Sequence, residues 1–289
     1  MIPAIVNGAA PRADAAVAVL REAGGFDIRV AAPGDVARST RAAVAEGVAR
    51  ILVAGGDGSL ASAAGVLATT SVALAVLPCG TLNHLARDVG VPMDLREAAA
   101  VATSPRTAAV DVAYVNDRLF LNTSSVGAYA TFVRLREQLE PRLGYKLAST
   151  VAAARLLWRL PVFRVTLEVN GETETYLTPL VFIGVNEREL KLPLLGSRVP
   201  AGRSGLHVMV IRRRSGARAL ALALAAAARG VEAVARTPAL DSFFVTRLRI
   251  ERRQRSVAVD GEIITATPPL EYRSVLEALR VVTPVELPE

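Results

Sequence analysis

Three glycines and one aspartate follow a short apolar run in the first third of the chain. The motif consists of Gly55, Gly56, Asp57, Gly58 and Ser59. A helix-forming stretch comes next. Glycines let the backbone approach an anion closely, and N–H groups at the start of a helix attract phosphate. The motif therefore predicts a phosphate-binding turn, although an ordinary strand-to-helix turn has the same local pattern.

A second turn of small residues lies one strand and one helix further along. The apolar residues 72–77 lead into the sequence PCGTLN, which contains Gly80, Thr81 and Asn83. Both turns would open at the carboxyl ends of neighbouring parallel strands, which is where doubly wound sheets bind ligands. Thr81 and Asn83 can hydrogen-bond phosphate or ribose, and Thr81 can equally cap a helix.

The charged residues limit the kind of phosphate site. Lys146 and Lys191 are the only two lysines, and neither is near a glycine-rich turn. A Walker-type site is excluded, so phosphate charge must be met by backbone N–H groups, by arginines, or by a cation held by carboxylates. Asp57 would repel a bare phosphate. Its position therefore favours a role as a ligand of a bridging Mg²⁺.

Composition sets the broad class of the protein. A chain of 289 residues with 52% hydrophobic residues can form two domains. The single cysteine, Cys79, and the absence of a signal-peptide pattern favour the cytoplasm. The net charge of +7 favours anionic partners. Nucleic acid is not expected, because 4% aromatic residues is too few for a base-stacking surface.

The sequence pattern changes near residue 111, and the two patterns predict the elements that position these motifs. Up to about residue 111, short apolar runs alternate with alanine-rich helical stretches, which predicts a doubly wound α/β domain with a parallel sheet. Beyond it, turn pairs separate apolar runs and predict an antiparallel, β-sandwich-like second domain. The turn pairs are Asn116-Asp117, Asn170-Gly171 and Asp260-Gly261. Helices are predicted over residues 127–160, with a break at Pro141, and over 217–235.

Together, the two glycine motifs and two later segments resemble the diacylglycerol kinase catalytic-domain family. The later segments are Val110-Asp111-Val112 and Val259-Asp260-Gly261-Glu262. This family comprises bacterial lipid kinases related to sphingosine and ceramide kinases, and more distantly to NAD kinase. The resemblance extends from residue 4 to about 284. It implies phosphoryl transfer from ATP to a lipid in a chain of two domains. The nucleotide domain would comprise residues 1–111 together with 270–289, and the β-rich lipid domain would comprise residues 112–269.

The resemblance also implies roles for individual residues. The first turn would hold the ATP phosphates, with Ser59 in place of the more usual threonine, and Gly80, Thr81 and Asn83 would complete the nucleotide site. Asp57 would handle Mg²⁺–ATP with support from Asp111, so both are expected metal ligands. Glu262 matches the proposed general base. Without the resemblance, Glu262 is an ordinary solvated hairpin residue.

Three segments depart from the family pattern. Asn7-Gly8 replaces an Asn-Pro pair, so Asn7 is assigned to the nucleotide site with its direct contact left open. Arg203-Ser204-Gly205 replaces an acidic run, and no second, structural Mg²⁺ is predicted. Residues 186–190 replace a glycine-rich segment, which leaves the identity of the acceptor lipid open.

The expected partners are a lipid substrate and an anionic membrane surface, for an enzyme peripherally attached to the membrane from the cytoplasm. Clustered arginines in the second domain suit such a surface. They are Arg212, Arg213, Arg214, Arg247, Arg249, Arg252, Arg253 and Arg255. The oligomeric state is left open, with a homodimer among the alternatives. A soluble NAD kinase-like enzyme and a catalytically inactive nucleotide- or lipid-binding regulator are the competing hypotheses.

Overall fold

The structure is a computed structural model, and it divides into two compact units. It describes residues 1–158, 162–169, 171–190, 195–199, 201–211, 240–251 and 256–285. The first unit comprises Met1–Val112, Arg118–Asn122 and Val275–Glu289, and the second comprises Ala113–Asp117 and Thr123–Ser274.

The first unit is built on parallel strands in the order β2-β1-β3-β4. These strands are β1 (Ile2–Asn7), β2 (Phe26–Ala31), β3 (Arg50–Gly55) and β4 (Ala73–Pro78). The last five residues of β3 and all of β4 are buried. Such unbroken apolar runs are typical of central strands covered on both faces. The alternation of apolar runs with helical stretches in the sequence predicts strands of this kind.

Five helices connect the strands of this unit. They are α1 (Ala13–Ala23), α2 (Val36–Ala45), α3 (Asp57–Leu67), α4 (His84–Asp88) and α5 (Leu95–Val101). Six of the eleven residues of α3 are buried, and small side chains such as Ala63 and Ala64 let this helix pack closely against its neighbours. Because α3 is buried, the turn at its start is held in place.

Three strands complete the description of this part of the chain. They are β5 (Thr107–Val115), β6 (Arg118–Phe120) and β18 (Leu270–Val282). Strands β5 and β18 each belong partly to both units. In the first unit, β18 pairs in parallel with β4 through Val281 and Leu74.

Antiparallel strands dominate the second unit. One sheet has the order β14-β13-β10-β7-β16-β17, and in the other the beginning of β18 pairs with β15, which continues to β8 and β9. The first sheet contains β7 (Thr123–Gly127), β10 (Leu180–Val185), β13 (Leu206–Ile211), β14 (Leu240–Val245), β16 (Ser256–Val259) and β17 (Glu262–Thr265). The others are β8 (Phe163–Val169), β9 (Glu172–Thr178), β15 (Arg247–Glu251) and the pair β11 (Arg188–Leu190) and β12 (Leu195–Arg198). The predicted fold class, α/β followed by antiparallel β, is confirmed.

The long helix of the second unit corrects one prediction. Helix α6 (Ala128–Trp158) continues through Pro141 and is interrupted at Gly144, where φ is 70° and ψ is 162°. Proline has a φ near −65°, which a helix accommodates, whereas a φ of +70° is a conformation that glycine adopts readily. The break therefore lies three residues later than the sequence pattern suggested.

Some predictions concern residues outside the described part of the chain. These are the helix over 217–235, Asn170 of one turn pair, and the arginines at 212–214, 252, 253 and 255. Among the residues that are described, none of the helices combines the length and the apolar character needed to cross a bilayer.

Candidate functional site

The two glycine turns of the first unit touch each other through their backbones. A Cβ atom added to Gly80 would lie 2.5 Å from the Cα atom of Gly56, and one added to Gly56 would lie 3.1 Å from the Cα of Gly80. The N–H of Cys79 also donates to the carbonyl of Gly55 over 3.0 Å. The structure thus brings together the two motifs that the sequence identified, and the contact leaves no room for side chains at Gly56 and Gly80.

The start of α3 provides unshared hydrogen-bond donors. Gly56 is the N-cap residue, and no side chain caps the helix there. The first N–H groups of a helix have no partner within the helix and carry partial positive charge. Here they belong to the residues that follow Gly56. This end of the helix can therefore accept an anion such as phosphate.

Asn7 fixes the position of Ser59 in that first helical turn. The Asn7 Nδ2 donates to Ser59 Oγ over 2.8 Å, while the N–H of Ala9 donates to Asn7 Oδ1 over 3.0 Å. A Cβ at Gly55 would lie 2.4 Å from the Ser59 Cβ, so glycine is required for this approach. Asn7 orients the hydroxyl, and its direct contact with nucleotide stays a prediction.

Asp57 faces the start of α4 from the first turn of α3. Its Oδ1 accepts the N–H of Leu85 over a long 3.4 Å. Burial raises the pKa of the Asp57 carboxyl, while His84 and the backbone N–H groups of residues 83–85 oppose the rise. The carboxylate is thus partly desolvated and interacts with the second turn, so it links the two motifs in addition to any metal role.

The second turn is closed by Asn83. Its Oδ1 accepts the N–H of Gly80 over 2.9 Å, and its Nδ2 donates to the Gly80 carbonyl over 2.8 Å. Asn83 is 5% exposed and has a φ of 52°, a conformation that asparagine tolerates better than most residues. Thr81 is exposed. The structure therefore gives Asn83 a role in shaping the turn and leaves the Thr81 hydroxyl available to a ligand.

The predicted metal ligands are held by different partners. Asp111, in β5, accepts the N–H of Glu277 over 2.8 Å, whereas Asp57 faces α4. No group of three or more His, Cys, Asp or Glu side chains that could hold a metal occurs within the described ranges. Mg²⁺ commonly uses only one or two carboxylates together with water and substrate phosphates. Asp57 and Asp111 do not form a metal cage by themselves, and their role as ligands of a nucleotide-bound Mg²⁺ stays a prediction.

Glu262 lies in the second unit. It is exposed at the start of β17 and pairs with Val259 across the hairpin. Asp260, in the same turn, donates its N–H to the Thr123 carbonyl over 2.8 Å and accepts the Thr123 N–H at Oδ1 over 3.0 Å. The turn that carries Glu262 is therefore fixed to β7, which positions the predicted base on a rigid element.

Comparison with known proteins identifies the segment that contains the glycine turns. Residues 7–115 match the family model of the diacylglycerol kinase catalytic domain. Over these residues, the chain is similar to the catalytic domain of that family. The resemblance predicted from the sequence is confirmed here, and the matched segment includes Asn7, both turns and Asp111.

Curated relatives include proteins named "Probable lipid kinase YegS-like". The protein of this name from Cronobacter sakazakii is 30% identical over 176 residues, which cover 58% of this chain and 58% of the relative. The one from Klebsiella pneumoniae strain 342 is 33% identical over 190 residues, which cover 63% of each chain. The alignments thus span less than two thirds of the length of these relatives.

A solved structure shows the same fold over nearly the whole chain. The crystal structure described as a diacylglycerol kinase from Bacillus anthracis str. Sterne superposes with a TM-score of 0.73 at 22% identity, and it covers 98% of this chain and 97% of that chain. The likeness extends the fold beyond the diacylglycerol kinase catalytic domain and includes the second unit, where Glu262 lies.

Two features of this domain were missed in the sequence. The clamp of Asn83 on Gly80 and the bond from Asn7 to Ser59 each hold a motif residue in place. An asparagine three residues after a glycine is a recognisable signal for a closed turn, because asparagine accepts positive φ and bonds to nearby backbone. The Asn7 bond joins residues 52 positions apart, and no local pattern predicts it.

Proposed function

We propose that the protein is an ATP-dependent lipid kinase, which transfers the γ-phosphoryl group of ATP to the hydroxyl of diacylglycerol or a related lipid alcohol. The observation that carries this proposal is the backbone contact of Gly56 and Gly80, within the segment that matches the diacylglycerol kinase catalytic domain. The names of the YegS-like relatives support a lipid as the acceptor.

In this proposal the first unit binds the nucleotide. The N–H groups at the start of α3 and the Thr81 hydroxyl bind phosphate oxygens. Asn7 holds Ser59 in the first turn, and Asn83 closes the second turn. Asp57 and Asp111 are assigned to Mg²⁺. When bound, that ion neutralises charge on the phosphates.

We assign the general base to Glu262. A lipid hydroxyl is a poor nucleophile, so a carboxylate within hydrogen-bond reach accepts its proton as the γ-phosphoryl group moves in line. The attachment of the Asp260 turn to β7 supports this assignment, because a base acts well only when its position is fixed.

We further propose that the enzyme acts from the cytoplasm at an anionic membrane surface. Arg247 is exposed and suits contact with acidic headgroups. Arg249 suits it less, because its nitrogens lie 3.0 Å from a Glu251 oxygen and 3.8 Å from oxygens of Glu168 and Glu271. Binding to anionic vesicles that weakens as salt rises would support the surface role.

A transfer assay with radiolabelled ATP tests the function directly. The acceptors are diacylglycerol, sphingosine, a polyprenol and NAD, each offered with Mg²⁺. Label on a lipid alcohol is the expected result. Label on NAD would favour the NAD kinase-like alternative, and ATP binding without transfer to any acceptor would favour the inactive regulator.

Asp57→Asn tests the site assignment in the same assay. The variant keeps the size of the side chain and an oxygen for the Leu85 N–H, but it removes the anionic metal ligand. We expect loss of transfer and weaker binding of Mg²⁺–ATP, with the fold retained by circular dichroism. Turnover equal to that of the unmodified protein would contradict the assignment.

A further inference from the structure

An arginine outside the sequence motifs lies beside the second glycine turn. Arg12 immediately precedes α1, and its Nη1 donates to the carbonyl of Met93 over 3.0 Å and to that of Pro78 over 3.5 Å. Pro78 ends β4, two residues before Gly80. The charge of Arg12 also reaches Cys79: burial raises the pKa of that thiol to about 11, and Arg12 opposes the rise.

The charge on Arg12 is not neutralised within the protein. Three other arginines of the first unit pair with carboxylates at 2.5–2.6 Å, namely Arg29, Arg38 and Arg96. Arg12 forms no ion pair with any carboxylate in the described part of the chain. A guanidinium has five N–H donors, and the two carbonyls engage only Nη1. The donors on Nε and Nη2 have no protein acceptor among the described residues.

The charge of Arg12 can supply the positive charge that a nucleotide site requires. A polyphosphate needs positive charge, the glycine turns contain no lysine, and Asp57 adds a negative charge to the first of them. A guanidinium fork matches the oxygens of phosphate in a bidentate geometry. On the basis of the proposed kinase function, we propose that Arg12 is a cationic ligand of the nucleotide phosphates and binds them through Nε and Nη2.

A purely structural tie between loops is the competing explanation, and the chain offers a matched control for it. Arg50 donates from Nη1 to the carbonyls of Ala102 and Ser104 over 3.0 and 2.8 Å. It begins β3, whereas the first glycine turn follows the other end of that strand. Six residues of strand separate the two ends by about 16 Å. Arg50 therefore makes the same kind of tie away from the phosphates.

The test measures binding of ATP, ADP, AMP and adenosine, with Mg²⁺ present, by isothermal titration calorimetry. The proteins are the unmodified chain, Arg12→Gln, Arg12→Lys and Arg50→Gln, each checked for folding by thermal melting. We expect Arg12→Gln to weaken ATP binding about tenfold or more, ADP binding less, and adenosine binding less than about twofold. Arg12→Lys should lose less than Arg12→Gln, because it keeps the charge. Arg50→Gln should leave the ratio of ATP to adenosine affinity unchanged.

Two results would overturn the inference while the kinase function stands. One is an equal loss of ATP and adenosine affinity in Arg12→Gln, which would make Arg12 a structural tie. The other is unchanged ATP affinity in a folded Arg12→Gln. If the unmodified protein binds none of the four compounds, the proposed function itself fails, and the role of Arg12 fails with it.

Discussion

Glycines occur at the candidate functional turns of both units, and the two units need them for different reasons. In the first unit, the space beside Gly56 and Gly80 is filled by backbone, and neither residue has a positive φ. In the second unit, Gly261 has open space around a Cβ and a φ of 87°. The first pair is required for close approach and Gly261 for a backbone conformation. Similar motifs, Gly-Asp-Gly and Asp-Gly-Glu, thus have different physical bases.

The largest expected effect concerns chemistry at the second unit's turn. Glu262→Gln keeps the volume of the side chain but cannot accept a proton, so transfer should slow by about 10²–10⁴-fold. ATP affinity and melting temperature should barely change. Steady-state rates with a lipid acceptor provide the measurement.

Glu172 supplies a matched control for that experiment. It follows Gly171, which has a φ of 83°, and it is exposed at the start of β9. Glu172→Gln should leave the transfer rate unchanged. If Glu262→Gln also stays within a few-fold of the unmodified rate, Glu262 is only a hairpin residue, and its assignment as the general base is wrong.

The next effect tests the requirement for space in the first unit. Gly80→Ala places a methyl group against the Cα of Gly56, and the backbone must move to accept it. We expect a loss of about 1–3 kcal/mol in the free energy of unfolding, together with weaker ATP binding. Denaturant unfolding and calorimetry measure the two quantities.

Gly65→Ala is the control, because a Cβ at this position in α3 meets no atom within 4 Å outside its chain neighbours and the backbone of its own helix. This variant should gain about 0.5–1 kcal/mol from helix propensity. Equal stabilities for Gly80→Ala and the unmodified protein would show that the turns do not depend on their close contact.

A smaller effect tests the conformational requirement in the second unit. Gly261→Ala should cost about 1 kcal/mol, because alanine is strained at positive φ, and Gly261→Asn should cost less. Denaturant unfolding of both variants measures the difference. Equal costs for alanine and asparagine would contradict the conformational explanation.

The smallest effect is a pH dependence specific to the second unit. Burial lowers the pKa of His207 and outweighs the opposing charge of Glu187. The Arg188 N–H donates to Nδ1, a bond that the neutral ring accepts. Protonation is thus easier in the unfolded chain. This contribution to stability is complete above about pH 6.5 and is lost as pH falls through the lowered pKa of the folded state. The slope is at most about 1.4 kcal/mol per pH unit.

Denaturant unfolding at pH 7.5 and at steps down to pH 5 measures this slope. The variant His207→Gln should show a shallower decline over that range than the unmodified protein. An identical decline in the two proteins would assign the pH dependence to other groups.

Local patterns in the sequence predicted most of the framework. The strands leading into both glycine turns and the hairpin at Asp260 follow from apolar runs and turn residues, and the structure contains them. The sequence predicts that the two glycine turns are neighbours, but it does not predict that the backbones of Gly56 and Gly80 touch. That contact depends on the pairing of β3 with β4 in three dimensions. Arg12 was missed for the same reason, because its carbonyl partners lie 66 and 81 residues away.

Strand β18 has a consequence for how the chain is made. Its residue Val281 pairs with Leu74 of β4, roughly 200 residues earlier. During synthesis, β4 therefore waits with one edge unpaired until almost the whole second unit has left the ribosome. Pairing at such long sequence separation slows folding, and an open strand edge invites association with other chains. The nascent first unit is thus most in need of protection by chaperones just before its last strand arrives.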